Sequence, residues 1–185
     1  MKPILLDFPD SFDTERLTIR APRPGDGPEL NAAIAESVAE LEPWMPWAVP
    51  VPPVEDSEAN IRGAVAKWLK REDLRLNLYL KGTETFVGGS GLHRIDWDVP
   101  RFEIGYWCRT RFVGHGYITE AVKAITAFAF DVLHARRVEI RCDALNTRSR
   151  AVAERAGFPL EATLHNYSTS VTGEVRDELV FAKIR

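Results

Sequence analysis

A long apolar helix that follows directly on a glycine-containing loop is the feature that most constrains the fold of this chain. Apolar residues recur at helical spacing from Gly116 to about Leu133, and residues 102–109 before the loop have the apolar faces of a central strand. The loop itself contains Arg111, Gly114 and Gly116, and glycines there allow backbone N–H groups to converge on an anion at the positive end of the helix. The sequence therefore predicts a strand–loop–helix unit that binds a pyrophosphate. Because no Lys-Ser or Lys-Thr pair follows, the loop differs from that of a nucleotide triphosphatase.

The hydrophobic pattern of the whole chain predicts alternating helices and strands. Helices are predicted over residues 26–39, in an apolar stripe over 61–69, over 116–133 and over 146–157. Strands are predicted at 17–20, 74–80, 86–92, 102–109, 138–142, 161–168 and 174–182. Asp26 followed by Glu29 matches a capping box, and Asn146 is a natural N-cap for the last helix. The pattern predicts an α/β protein with a mixed sheet of about seven strands and about four helices, in a single domain over residues 1–185.

Composition and charge exclude several classes of function. The formal net charge of −3 gives no electrostatic basis for nucleic acid or an anionic membrane as the main partner. No apolar run approaches the ~20 residues that cross a bilayer. Asp7 and Asp10 come too early for the apolar core of a signal peptide. Cys108 and Cys142 lie far apart without metal-binding spacing, so we expect reduced thiols in a cytoplasmic protein.

Four ordered motifs resemble one known family. They are Glu103-Ile104-Gly105-Tyr106-Trp107, Arg111-x-x-Gly114-x-Gly116-Tyr117-x-Thr119-Glu120-Ala121, Asn146-x-x-Ser149 and Gly157-Phe158. In this order they resemble the GNAT superfamily, and within it the RimJ/RimL branch of ribosomal-protein N-terminal acetyltransferases. The resemblance extends over nearly the whole chain, from Thr14-Glu15-Arg16-Leu17 to the closing strand with Asp177. It implies an N-acetyltransferase with a mostly antiparallel sheet, whose fourth and fifth strands splay apart around the pantetheine arm of acetyl-CoA.

The resemblance also implies which residues hold acetyl-CoA. Those expected at the pyrophosphate are Arg111, Gly114, Gly116, Tyr117 and Thr119, and those expected beside the pantetheine arm and thioester are Trp107, Cys108, Asn146 and Ser149. His115 lies in the same loop outside the motif, and it is expected to be structural or a minor contact of the cofactor rather than a base. A backbone N–H near Trp107 or Cys108 is expected to meet the oxyanion. The alternative for Gly114 and Gly116 is a tight strand-to-helix turn without a ligand, which would not require Arg111.

Glu103 and Ser149 are the candidates for the chemistry itself. In many members of the superfamily a tyrosine four residues before the Gly-Phe pair protonates the departing thiolate, but this position is Ala153 here. Ser149 lies one helical turn earlier, and the resemblance to the RimJ/RimL branch implies that it assists the sulfur, with a pure capping role as the alternative. Glu103 is interpreted as a general base that acts through water or as an anchor for the acceptor ammonium. The alternative is an ion pair with Arg101 or Arg94.

The acceptor is an amine, and its surroundings are predicted from the proline-rich segment and the last strands. Trp44 and Trp47 form either a rigid wall for the acceptor or a hydrophobic lid over the first helices. Tyr167 and Asp177 are candidates for the rest of the acceptor cleft. Because a thioester is already activated and neither cysteine has an adjacent His or Lys, we expect direct transfer rather than an acyl-cysteine intermediate.

Three functions fit these features. The first is acetylation of a protein N-terminal α-amine, whose reference pKa of about 8 makes it easier to deprotonate than a lysine near 10.4. The second is acetylation of a small amine such as a polyamine, an amino acid or an antibiotic. The third is a non-catalytic acyl-CoA-binding module, against which the presence of Glu103, Asn146 and Ser149 argues. A homodimer is an open alternative to a monomer.

Overall fold

The computed structural model describes residues 2–185, which form one eight-stranded sheet with four α-helices packed on it. The helices are α1 (Gly27–Leu41), α2 (Val54–Lys70), α3 (Tyr117–Asp131) and α4 (Thr147–Arg155). The strands are β1 (Ser11–Asp13), β2 (Leu17–Arg20), β3 (Leu74–Leu80), β4 (Phe86–Asp96), β5 (Arg101–Cys108), β6 (Arg137–Asp143), β7 (Leu160–Thr169) and β8 (Val175–Ile184). The predicted mixed α/β fold is confirmed. The extra strand is β1, which pairs with β2 at the sheet edge and is too short to give a hydrophobic pattern.

The sheet is antiparallel except between β5 and β6, the two strands at its centre. The strand order is β1-β2-β3-β4-β5-β6-β8-β7. The parallel pair is in register only where residues 101–103 lie beside residues 137–139. Beyond these positions both strands continue but diverge, which leaves a V-shaped gap. The predicted splay between these strands is confirmed.

The backbone of β5 presents polar groups to this gap. The Arg109 N–H donates to the Val87 carbonyl at 2.8 Å, on the side of β4. Polar groups of an antiparallel strand alternate between its two neighbours, so those of Trp107 also point towards β4. Those of Tyr106 and Cys108 point the other way, into the gap. The splay therefore leaves a strand edge that a ligand with amide groups can pair with.

Helices cover both faces of the sheet. α3 buries its apolar stripe in the larger core, where Ile118, Val122 and Ile125 pack with Phe102 and Val138. The smaller core on the opposite face joins α1 and α2 to the sheet through Leu30, Ile34, Ile61, Tyr79 and Phe86. In the part of the chain that the structure describes, no helix is long and apolar enough to cross a membrane.

The predicted capping box at the start of α1 is wrong. Asp26 holds the N-cap position but makes no side-chain cap; its carboxylate instead accepts two hydrogen bonds from Arg20, at 2.8 and 2.7 Å. Glu29 accepts from Arg109 at 2.6 Å. The Gly27 N–H donates to Glu58 of α2 at 3.1 Å. Two arginines thus take the two carboxylates, Arg20 from six residues away and Arg109 from 80 residues away, and each adds an ion pair that a backbone N–H cannot offer.

Candidate functional site

The gap between β5 and β6 opens into a main cleft of about 1530 Å³. It is bounded by the loop before α3, the N-terminal turns of α3 and α4, and the segment after α1. The predicted site residues that line it are Trp44, Glu103, Trp107, Cys108, Gly114, His115, Gly116, Tyr117, Thr119, Asn146 and Ser149. The other four lie outside its lining, and these are Trp47, Arg111, Tyr167 and Asp177. The structure therefore brings most of the predicted site together around one gap.

The glycine loop has the backbone conformation of an anion-binding turn. Gly114 and Gly116 have φ values of 86° and 80°, in the left-handed region that other residues rarely adopt. Gly116 is the N-cap of α3 and has no side chain that could accept from the N–H groups of the first turn. Tyr117 and Thr119 of that turn line the cleft. The N-terminal end of α3 also carries partial positive charge. A pyrophosphate at this loop stays a prediction, and the conformations of the two glycines are compatible with it.

Arg111 does not reach the main cleft, contrary to prediction. Its guanidinium binds Glu36 of α1, with Nε to Oε1 at 2.8 Å. Glu36 also accepts from Arg109 Nε at 2.8 Å. Hydrogen bonds from Arg111 and Arg109 lower the pKa of Glu36 to about 2. Arg111 therefore anchors the loop to α1, and its partner lies 75 residues away in sequence, beyond the reach of a local motif.

Arg16, in an ion pair with Glu120, is the arginine that lines this end of the cleft instead. It lines the cleft, its guanidinium stacks 4.5 Å from the Tyr117 ring centroid, and its Nη1 donates to the His115 carbonyl at 3.0 Å. Its Nε donates to Glu120 at 2.7 Å, which fixes the side chain against the first turn of α3. The His115 ring stacks on Tyr117 and its Nδ1 lies 3.1 Å from the Val113 carbonyl, so it packs on the loop. Sequence reasoning missed Arg16 as a site residue, although Thr14-Glu15-Arg16-Leu17 marked the segment.

Ser149 is both a capped residue and a neighbour of a half-buried tyrosine. Asn146 Oδ1 accepts from the Ser149 N–H at 3.0 Å, so the predicted N-cap is confirmed. Ser149 Oγ donates to Tyr106 Oη at 3.1 Å, and Tyr106 Oη donates to the Ser149 carbonyl at 2.9 Å. Burial raises the pKa of Tyr106 to about 12, so its hydroxyl stays protonated. Sequence reasoning missed Tyr106. The signal was its place on β5, next to Gly105 and on the opposite face of the strand from Glu103 and Gly105.

Glu103 lies where β5 and β6 begin to diverge. Its Oε2 is 3.3 Å from Arg94 Nη1 and 3.5 Å from Arg141 Nε. Burial raises its pKa, while Arg94 and Arg141 act in the opposite direction. The predicted alternative of an ion pair with Arg94 is thus present. Arg101 instead lies 3.5 Å from Asp96.

The two thiols stay protonated at neutral pH. Burial raises the pKa of Cys108 to about 12 and also raises that of Cys142. Both residues line the main cleft. Since a thiolate is the reactive form of cysteine, neither residue is prepared to attack a thioester.

A second cavity of about 630 Å³, the side pocket, opens on the α1–α2 side of the sheet. It shares Met45, Gly105, Tyr106 and Trp107 with the main cleft, so β5 forms the boundary between the two. Trp47 lines the side pocket rather than the main cleft. The Trp107 ring also belongs to this side, where it packs 6.0 Å from Trp47 and 5.6 Å from Phe86 between ring centroids.

Tyr167 and Asp177 lie away from both cavities, on the β7–β8 hairpin. Tyr167 is 54% exposed. Asp177 accepts from the Asn166 N–H at 2.9 Å and lies 2.8 Å from His165 Nδ1, so it stabilises the hairpin. Their assignment to an acceptor cleft rested only on their place in the last two strands. In the hairpin, neither residue lines the main cleft or the side pocket.

Comparison with known proteins shows similarity over most of the residues that line the main cleft. A family model described as acetyltransferase (GNAT) domain matches residues 16–159. The chain is 32% identical to YdaF of Bacillus subtilis (strain 168), provisionally named a ribosomal N-acetyltransferase, over 78% of each protein. It is 28% identical to the ribosomal-protein-serine acetyltransferase of Escherichia coli (strain K12), over 82% of this chain and 83% of that protein. The solved structure of RimL, a ribosomal L7/L12 α-N-protein acetyltransferase in complex with coenzyme A, matches with a TM-score of 0.85 at 22% identity, over 92% of this chain and 95% of that one.

Proposed function

The chain belongs to the GNAT acetyltransferase family, and on this premise we propose that it transfers the acetyl group of acetyl-CoA directly to the α-amine of a protein N-terminus. As a member of this family it is an N-acetyltransferase whose donor is acetyl-CoA. One observation carries the proposal: the main cleft and the side pocket meet at Gly105, Tyr106 and Trp107. A donor in the cleft and an acceptor in the pocket would meet at this point of β5.

The main cleft fits acetyl-CoA by its backbone. The polar groups of Tyr106 and Cys108 face the gap, where they suit the amide groups of a pantetheine arm. The left-handed Gly114 and Gly116 leave the first turn of α3 open to the pyrophosphate. Arg16 adds positive charge at the same end.

We assign each chemical role to a residue at this junction. Bound acetyl-CoA supplies an acetyl group that is already activated as a thioester. The backbone N–H of Cys108, which faces the gap, stabilises the oxyanion. Ser149 donates its hydroxyl proton to the leaving sulfur, and Tyr106 positions Ser149. Glu103 attracts the acceptor ammonium with its carboxylate, which Arg94 and Arg141 hold in place.

The acceptor class rests on the named relatives and on the pocket. The Escherichia coli relative is named for a ribosomal-protein serine, so a peptide with an N-terminal Ser is the first acceptor to try. Trp44 and Trp47 would flank it, one in the main cleft and one in the side pocket. A ribosomal acceptor places the reaction in the cytoplasm, and residues 1–185 would act as one domain.

A small amine is the second candidate acceptor. The side pocket, at about 630 Å³, has the size of a cavity that encloses a small ligand. Polyamines, amino acids and amine antibiotics are therefore alternatives to a peptide.

Thiol release from acetyl-CoA over a panel of acceptors tests the proposal. The panel contains peptides that begin with Ser, Ala or Met, the same Ser peptide with a blocked α-amine and an internal Lys, spermidine and an amine antibiotic. We expect the highest kcat/KM for a free N-terminal peptide and no turnover of the blocked one. A higher kcat/KM for a small amine would favour the second candidate. Coenzyme A binding without turnover of any acceptor would contradict enzymatic function.

A further inference from the structure

His93 of β4 lines the side pocket beside Gly105, which lines both cavities. We propose that His93, oriented by Asp73, accepts the proton of the acceptor amine. The inference rests on the proposed function, because it names a further catalytic residue for that same site. No motif in the sequence points to either residue, and they come together only through the pairing of β3 with β4.

The first observation is the hydrogen bond that orients the imidazole. His93 Nδ1 lies 2.7 Å from Asp73 Oδ2, and a carboxylate accepts, so Nδ1 carries the hydrogen. In the neutral ring, Nε2 then carries the lone pair. Both side chains are about one-third exposed, at 31% and 28%, so solvent can remove a proton from the ring. Histidine is the side chain best suited to accept and release protons near neutral pH.

The second observation is the direction of the free nitrogen. Gly91 and Gly105 are directly opposite each other in the β4–β5 register. A Cβ at Gly91 would lie 2.9 Å from His93 Nε2, and a Cβ at Gly105 would lie 3.4 Å from it. The imidazole therefore lies across two positions where side chains are absent. Because Gly105 lines both cavities and His93 lines the side pocket, Nε2 is placed where an acceptor amine would approach a donor.

The third observation distinguishes the role of His93 from that of Glu103. These two residues are direct partners across β4 and β5, so their side chains lie on the same face of the sheet. Glu103 Oε2 is already engaged by Arg94 and Arg141, although burial raises the pKa of this carboxyl. In the proposal Glu103 attracts the ammonium, and His93 takes the proton. The charged groups that surround His93 and its pocket are Asp56, Asp73, Arg75 and Glu103.

The protons balance over one transfer. Nε2 of His93 accepts one proton from the ammonium and then releases it to solvent. As the C–N bond forms and the C–S bond breaks, Ser149 delivers a proton to the departing sulfur and regains one from the acylated nitrogen. Two protons leave the nitrogen, one ends on the sulfur, and one is released per acetyl group transferred.

Kinetics of His93→Gln test the proposal, and the chain offers a matched control. His165 forms a similar pair with Asp177, with Nδ1 and Oδ2 2.8 Å apart, outside both cavities. At pH 7 we expect His93→Gln to lower kcat about 10²-fold with a smaller change in the acceptor KM. The defect should shrink as pH rises past about 8, where the α-amine loses its proton without help. His165→Gln should keep the wild-type kcat.

A second readout does not depend on turnover. Nitrogen-15 NMR of the imidazoles should show hydrogen on Nδ1 of His93 in the neutral ring, and Asp73→Asn should change this tautomer. A wild-type kcat in His93→Gln, a defect independent of pH, or hydrogen on Nε2 in the wild type would overturn the proposal while the acetyltransferase function stands. Absence of thiol release by the wild-type protein with every acceptor would instead reject the proposed function itself.

Discussion

Replacement of Ser149 by Ala and of Tyr106 by Phe, singly and together, tests how the leaving sulfur obtains its proton. Tyr106 already donates its proton to the Ser149 carbonyl at 2.9 Å, whereas the Ser149 proton goes to Tyr106 Oη at a longer 3.1 Å. Ser149 is the proposed donor, and Tyr106 positions it through these two hydrogen bonds. General acids typically contribute 10²–10⁴-fold, so Ser149→Ala should lower kcat about 10²-fold, or roughly 2.7 kcal/mol of activation free energy. Tyr106→Phe removes a hydrogen bond worth about 0.5–1.5 kcal/mol, which corresponds to a kcat about two- to twelvefold lower.

The double variant decides whether the two residues act together. Without the serine hydroxyl the tyrosine has nothing to position, so the double variant should have the kcat of Ser149→Ala alone. Tyr106→Phe should also lower the free energy of unfolding by about 1 kcal/mol, a fall in Tm of about 2–4 °C. The assays are thiol release at saturating donor and acceptor, and thermal melting. A kcat of Ser149→Ala equal to wild type, or effects that multiply in the double variant, would refute the assignment.

Three further predictions follow from the loop and its supports. Gly116→Ala places a β-carbon at a φ of 80°, so we expect a loss of about 1–2 kcal/mol in stability and weaker coenzyme A binding by calorimetry. The control Gly63→Ala, at an exposed position inside α2 with open space around it, should raise stability by about 0.5–1 kcal/mol. Arg16→Ala should weaken coenzyme A binding several-fold and Arg111→Ala should not, because only Arg16 lines the cleft; equal losses in titration would contradict this assignment. The folded pKa of Glu36 is depressed to about 2, so its contribution is present above the unfolded pKa near 4.5 and is lost as pH falls through 2. Glu36→Gln should therefore cost about 1 kcal/mol at pH 7, after allowance for solvent screening, and nothing near pH 2 in denaturant titrations.

Local signals in the sequence were sufficient for the core of the fold. The apolar stripe of α3 and the glycines before it are consecutive in the chain, so spacing alone predicted the helix and its loop. Asn146 likewise caps a residue only three positions away. Such interactions are encoded in one short segment, which is why the sequence predicted them correctly.

Contacts between distant segments could not be predicted in this way. The partner of Arg111 is on α1, 75 residues away, and Arg109 takes the carboxylate of Glu29, which was expected to complete the capping box, from 80 residues away. The pairing of Tyr106 with Ser149 joins β5 to α4 across 43 positions. Each of these side chains could pair with several oppositely charged or polar partners, and the assembled sheet determines which partner lies within hydrogen-bond distance.

The short seam between β5 and β6 has a mechanical consequence. The sheet consists of two blocks, β1–β5 and β6–β8, and strand pairing in the described part of the chain joins them along residues 101–103 and 137–139, next to the Pro100 carbonyl that accepts from the Arg136 N–H. An occupant of the gap therefore acts as an interior strand that completes the hydrogen bonding between the blocks. In each catalytic cycle, binding of the donor would complete the hydrogen bonding between the two blocks, and departure of the product would leave it incomplete again. Unlike an ordinary sheet edge, which must be protected from other chains, this edge lies inside the fold, between the α3 loop and α4.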